Sequence, residues 1–260
     1  MILTYLQVVL AVLSGAGVGF SLGLIGGGGS ILAVPLLVYV VGVPSAHVAI
    51  GTSAVAVALN AGLNLVPHAR AGNVKWRCAS VFAAIGVAGA FAGSILGKMM
   101  DGQRLLALFA VIMLVVSVLM LRRGHAEGDV SVRLSRDNLP RLAVFGAGTG
   151  ALSGFFGIGG GFLIVPALIS ATGMPMANAI GSSLVSVAAF GLATAISYIW
   201  SGLADGQLVA LFVAGGLAGG FLGVRAGTWL GRYKGAMTRV FAGILIAVAL
   251  YMLTRSLGLA

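Results

Sequence analysis

The groups best placed to do chemistry in this chain are backbone amides. Residues 23–35 read G-L-I-G-G-G-G-S-I-L-A-V-P, and residues 154–166 read G-F-F-G-I-G-G-G-F-L-I-V-P. Gly23, Gly26, Gly28, Gly29, Leu32, Val34 and Pro35 recur as Gly154, Gly157, Gly159, Gly160, Leu163, Val165 and Pro166, at a constant spacing of 131 residues. Glycine runs make poor helix, because glycine loses the most backbone freedom on ordering. Each run therefore predicts a helix break. A half-helix starting there leaves its first N–H groups without an intrahelical partner, and its dipole adds partial positive character at that end. Two such ends aimed at one point make an anion site from backbone alone. The predicted cradle is Gly26, Gly27, Gly28, Gly29 and Ser30 with Gly157, Gly159, Gly160 and Gly161. The competing reading is that these glycines let helices pack closely, as small residues do in membranes.

Side chains add to the cradle from the next apolar segments. Ile50-Gly51-Thr52-Ser53 is echoed by Ile180-Gly181-Ser182-Ser183 at a spacing of 130. Thr52, Ser53, Ser182 and Ser183 can donate to a polar solute, or bond back to their own helix carbonyls. Asn60 and Asn64 are i and i+4, so they share a helix face. Arg225 lies inside an apolar segment, either as counter-charge to an anion or snorkelling to the interface. The acidic residues Asp101, Glu127, Asp129, Asp137 and Asp205 all fall in loops or at segment ends. Cation- and proton-coupled carriers place a carboxylate in the membrane, and none is evident. An anion needs no such group: with the inside negative, one exported negative charge gains about 2.3 kcal/mol per 100 mV. No Ser–His pair or His/Asp/Glu cluster supports an enzyme. Cys78 is the only cysteine, so no disulfide and no cysteine-built metal site is expected. No cofactor is implied.

These groups need a frame, and composition says which. The chain has 260 residues, 60% hydrophobic and only 8% charged, whereas soluble domains carry about 25% charged residues. Long apolar stretches between short polar punctuation predict an all-α polytopic membrane protein. A β-barrel would alternate over short segments. The net charge of +10 would suggest nucleic acid in a soluble protein. Here the positive charges sit in short loops, which orients a membrane protein and leaves no nucleic-acid partner. Met1 to Tyr5 lack the basic start of a cleaved signal peptide, so the first apolar segment is expected to stay as a helix.

Each half holds five apolar segments, at about 3–25, 31–42, 47–66, 76–98 and 104–121, then about 141–157, 162–173, 177–199, 206–230 and 236–254. Residues 1–121 form a first transmembrane repeat, 122–140 a basic cytoplasmic linker and 141–260 a second repeat. The second segment of each half spans only about 20 Å at 1.5 Å per residue, against a hydrocarbon core of about 30 Å. Each carries a proline, Pro35 or Pro166, so both read as short broken or re-entrant helices at the glycine-rich loops. Glycine every fourth residue (Gly89, Gly93, Gly97; Gly219, Gly223, Gly227) predicts close-packing faces. Equivalent loops carry opposite charge bias: Arg70, Lys75 and Arg77 in half one meet only Asp205 in half two. With basic loops inside, that bias predicts repeats of inverted topology.

The sequence resembles the sulfite exporter TauE/SafE family of membrane transporters. Carrying the resemblance are Gly17-x-Gly19, Gly26 to Ser30, Pro35 and Gly51-Thr52-Ser53. The second set is Gly154-Phe155-Phe156-Gly157-Ile158-Gly159-Gly160-Gly161, Pro166 and Gly181-Ser182-Ser183. The resemblance implies a multi-pass permease of the bacterial inner membrane, exporting a small anion such as sulfite or an organosulfonate. The expected partners are that solute and the lipid bilayer, with a homodimer as an open possibility. A non-transporting membrane scaffold or assembly subunit is the alternative from another class, and an importer or channel for another oxyanion the alternative within transport.

Overall fold

In the computed structural model the described residues are 3–122, 129, 132, 134–157, 161–230 and 236–256. Among them the regular elements are all helical. Six helical stretches are long and apolar enough to cross a membrane by length and composition. The first repeat runs α1 (Tyr5–Ile25), a composite segment, α3 (Ala46–Arg70), α4 (Trp76–Met99) and α5 (Gly102–Arg122). The composite is a 3-10 helix (Gly26–Leu32), one α-turn, α2 (Ala33–Pro35), and a π-turn (Leu36–Val40). The second repeat runs α6 (Leu139–Phe156), α7 (Gly161–Thr172), α8 (Met176–Trp200), α9 (Gly206–Leu230) and α10 (Ala236–Ser256).

Local chemistry sets the ends. Thr4 and Gln7 form a capping box at α1: the Gln7 N–H donates to the Thr4 hydroxyl and the Thr4 N–H to the Gln7 amide oxygen. That satisfies two orphan donors reciprocally. The two acids nearest the membrane ends are caps. Asp101 accepts from the N–H groups of Gln103 and Arg104 at the start of α5. Asp205 accepts from Gln207 and Leu208 at the start of α9. Carboxylates favour helix N-termini through the dipole, which accounts for their place at segment ends.

Both helix breaks lie where the glycine pattern puts them. Gly26 follows α1 at φ 70°, and Gly157 follows α6 at φ 65°, a region that costs other residues steric strain. The first glycine stretch is not the open loop expected from sequence. It is wound as a 3-10 helix, in which residues i and i+3 eclipse, and residues without Cβ tolerate that crowding. Past Pro35, which lacks a donor, the ladder widens, and the Val41 N–H closes on the Leu36 carbonyl at 2.9 Å. The composite then returns alongside α1, because the Gln7 side-chain amide donates to the Val41 carbonyl at 3.2 Å. It runs back to the level of the first turn of α1.

Helix pairing exchanges between the repeats. α1 packs on α9 and, reciprocally, α6 on α4; α3 packs on α8 and α5 on α10. Glycines fix the directions. Gly15, Gly19 and Gly23 lie against Phe212, Gly216 and Gly220, so α1 and α9 run parallel. Gly89, Gly93 and Gly97 lie against Ala147, Ala151 and Phe155, so α4 and α6 run parallel too. The expected packing glycines Gly219 and Gly223 likewise face the backbone of Ala16 and Phe20 on α1, where added methyls would strike it, while the surroundings of Gly227 lie outside the described residues. Gly216 and Gly220 of α9 also meet Asn60 and Asn64 of α3, again in parallel. Gly51 meets Tyr198, while Gly191 meets Ala54 and Ala58, so α3 and its equivalent α8 run antiparallel.

Candidate functional site

Gly26 to Ser30 are buried where the breaks meet. A methyl built on Gly27 would overlap Gly161, and one on Gly161 would overlap the Gly27 backbone. The two glycine stretches thus cross in direct backbone contact. Gly159 and Gly160 lie outside the described residues. Gly157 packs on Ile50 of α3 and Gly26 on Ile180 of α8, so each break sits against the third helix of the other repeat.

The serines at these positions follow the same exchange. The Gly27 N–H donates to the Ser183 hydroxyl at 3.1 Å, and that hydroxyl donates to the Ile180 carbonyl at 2.7 Å. The Ser53 hydroxyl lies 2.8 Å from the Ile50 carbonyl and 3.3 Å from the Gly157 carbonyl. Ser30 donates to the Gly27 carbonyl at 2.9 Å. One cradle N–H therefore already points at an oxygen, as an anion-binding amide would. Ser183 supplies that oxygen.

Thr52 and Ser182 turn away from the crossing and hold helix starts. The Asp205 N–H donates to the Thr52 hydroxyl at 3.0 Å. The Lys75 N–H, at the N-cap of α4, donates to the Ser182 hydroxyl at 2.9 Å. Each third helix thus braces the fourth helix of the other repeat. Ser30, Thr52, Ser53, Ser182 and Ser183 are all 0% exposed.

Asn60 and Asn64 project toward α9 and the end of α1. The Asn64 amide donates to the Asn60 backbone carbonyl at 2.9 Å, and its oxygen faces Gly23 and Gly220. Asn60 is 0% exposed, yet neither atom of its side-chain amide has a hydrogen-bond partner among the described residues. Ser153, Ser186 and Thr194 carry buried hydroxyls in the same condition. An unmade buried hydrogen bond costs about 1–3 kcal/mol, so these polar groups are expensive to keep. Arg225 lies further along α9. Its guanidinium sits 4.8 Å from the centre of the Phe221 ring, in a groove shared with Asn64 and Arg70.

One residue escapes sequence reasoning. The Lys98 ammonium donates to the Ser197 carbonyl at 3.0 Å and the Ser201 hydroxyl at 2.9 Å, and stands over the Tyr198 ring. A cation there satisfies carbonyls at the C-terminus of α8. Nothing local to Lys98 in sequence points across to α8. Among the described residues no three His, Cys, Asp or Glu side chains group to hold a metal.

The family described as sulfite exporter TauE/SafE matches residues 11–252. A protein of Xylella fastidiosa (strain 9a5c), named a probable membrane transporter protein, is 52% identical over 258 residues, 98% of each chain. A Methanocaldococcus jannaschii protein of the same descriptive name is 30% identical over 191 residues, 70% of each chain. A Haemophilus influenzae relative, also so named, is 30% identical over 203 residues, 75% of each chain. No solved structure matches the chain.

Proposed function

Because the chain belongs to the sulfite exporter TauE/SafE family of multi-pass membrane transporters rather than enzymes, we propose that it exports a small oxyanion, sulfite or an organosulfonate, across the bacterial inner membrane. The binding point is the crossing of the two glycine breaks. One observation carries this reading: the Gly27 N–H, buried at the Gly27–Gly161 contact, is already bonded to a hydroxyl oxygen of the opposite repeat. An anion oxygen at this point accepts from the Ser183 hydroxyl, which turns to it from the Ile180 carbonyl, and from the neighbouring glycine N–H groups. Backbone donors suit this task, since they hold negative charge without a fixed counter-ion that would make release slow.

The antiparallel course of α3 and α8 supports repeats of inverted topology. Two repeats related in that way alternate access by rocking about a fixed site. Asn60 and Asn64 extend the polar surface from the crossing toward one face. Thr52 and Ser182 act through the helix starts they brace.

The test is flux of sulfite, methanesulfonate and thiosulfate from liposomes carrying the purified protein. Ser183→Ala and enlargement at Gly28 or Gly159 should lower saturable flux while the protein still folds. Wild-type flux in all three variants removes the cradle. Absence of flux for every anion, with a stable protein partner on purification, favours the scaffold instead.

A further inference from the structure

The groove holding Arg225 has features that the transport reading does not use. It is a cavity of about 650 Å³ between the C-terminal halves of α3 and α9. Its walls include Leu63, Leu217 and Phe221, which are 44%, 49% and 62% exposed. Its floor includes Gly220, where the missing side chain lets Asn64 approach. α3 and α9 run parallel, so Arg70 and Arg225 stand together at one end, while the apolar walls extend toward the middle of the helices. Seven residues separate Leu63 from Arg70, about 10 Å of helix. The lining contains no acidic residue.

We propose that this groove binds one anionic phospholipid, with an acyl chain along Leu63 and Leu217 and the phosphate between Arg70 and Arg225. Three features separate it from ordinary lipid contact. The wall is recessed at Gly220 rather than smooth. The Phe221 ring lies under the Arg225 guanidinium, 4.8 Å away, and holds it over the groove by cation–π attraction. Two guanidiniums at one interface match a phosphodiester, as basic pockets between membrane helices match lipid headgroups. A free solute anion would leave the exposed apolar walls without purpose, and a zwitterionic lipid would place its own cation against two arginines.

The experiment is thermal unfolding of the purified protein in dodecylmaltoside, with added dioleoylphosphatidylglycerol, dioleoylphosphatidylcholine or glycerol 3-phosphate. Native mass spectrometry counts the bound lipid. Phosphatidylglycerol should raise the midpoint by several degrees and appear as one retained molecule. Phosphatidylcholine and glycerol 3-phosphate should do neither. The paired R70Q and R225Q substitution should abolish the rise, and R70K with R225K should keep part of it. If the paired variant does not fold, L217W serves, because it fills the chain groove and leaves both arginines. An equal rise with phosphatidylcholine, an undiminished rise in L217W or the R70Q/R225Q protein, or a rise with glycerol 3-phosphate alone would each overturn the proposal. None of these readouts depends on flux, so its failure is separable from failure of the transport reading.

Discussion

Asn60→Leu should make the protein more stable and less active. Asn60 sits in the middle of α3 at 0% exposure with both amide atoms unpartnered. Leucine keeps the heavy-atom count and branching of the side chain, with methyls that take somewhat more room against Gly216, and removes the buried amide. Protein mutational data put the cost of such a group at about 1–3 kcal/mol. Chains of about 150–250 residues shift their midpoint by about 2–4 °C per kcal/mol. The variant should therefore melt roughly 2–12 °C above wild type. Core substitutions ordinarily destabilise, so the sign is the informative part. Sulfite flux in liposomes should fall in the same variant, since a costly polar group is kept where function uses it. Thermal unfolding in detergent and flux at matched protein density measure the two sides. A lower midpoint would mean that Asn60 is hydrogen-bonded in the working protein. An unchanged flux with a higher midpoint would remove Asn60 from the solute path.

Gly161→Ala drives a methyl into Gly27 backbone, which cannot swing aside. It should cost about 1–3 kcal/mol as overpacking, whereas Gly62→Ala, with open space around it, should be neutral or stabilising; similar melts for the two would contradict the crossing. Ser183→Ala strips the Gly27 N–H of its partner and should lower stability by about 1–3 kcal/mol along with flux, while Ser183→Thr keeps both in large part. Lys98→Met removes a charged donor from the last carbonyls of α8. It should destabilise by about 1–3 kcal/mol, with partial rescue by Lys98→Arg, read as midpoint shifts. In a Cys78→Ala background, Ala71→Cys should label with an impermeant maleimide from one side of the membrane, and Gln103→Cys and Gln207→Cys from the other; labelling of all three from one side would refute the helix directions.

The breaks were legible because they rest on local chemistry. Gly26 and Gly157 stand in register in the two copies, and both take positive φ. The glycine faces of α4 and α9 were legible as surfaces for close approach, but their partners were not. Nothing within α1 says that its Gly15, Gly19 and Gly23 meet α9 rather than a sequence neighbour. The roles of Thr52 and Ser182 were hidden for the same reason, since the amides they accept from belong to the other repeat. The 3-10 winding of Gly26–Leu32 was missed because glycine's low helix propensity argues for an open loop. Tertiary contact with Gly161 and Ser183 overrides that propensity. Arg225 was read singly, and its company with Arg70 and Phe221 appears only when α3 and α9 lie side by side.

The exchange of α1 onto α9 has a consequence for biosynthesis. α1 ends at Ile25 and its main packing partner starts at Gly206. At about 5–20 residues per second, a ribosome needs roughly 10–40 s to bring the second of these helices out after the first. During that interval the notch formed by Gly15 and Gly19 lacks the α9 backbone that fills it in the finished fold. A nascent chain stalled before Gly206 would display this notch bare. Quality-control proteases could recognise it as the mark of an unfinished molecule.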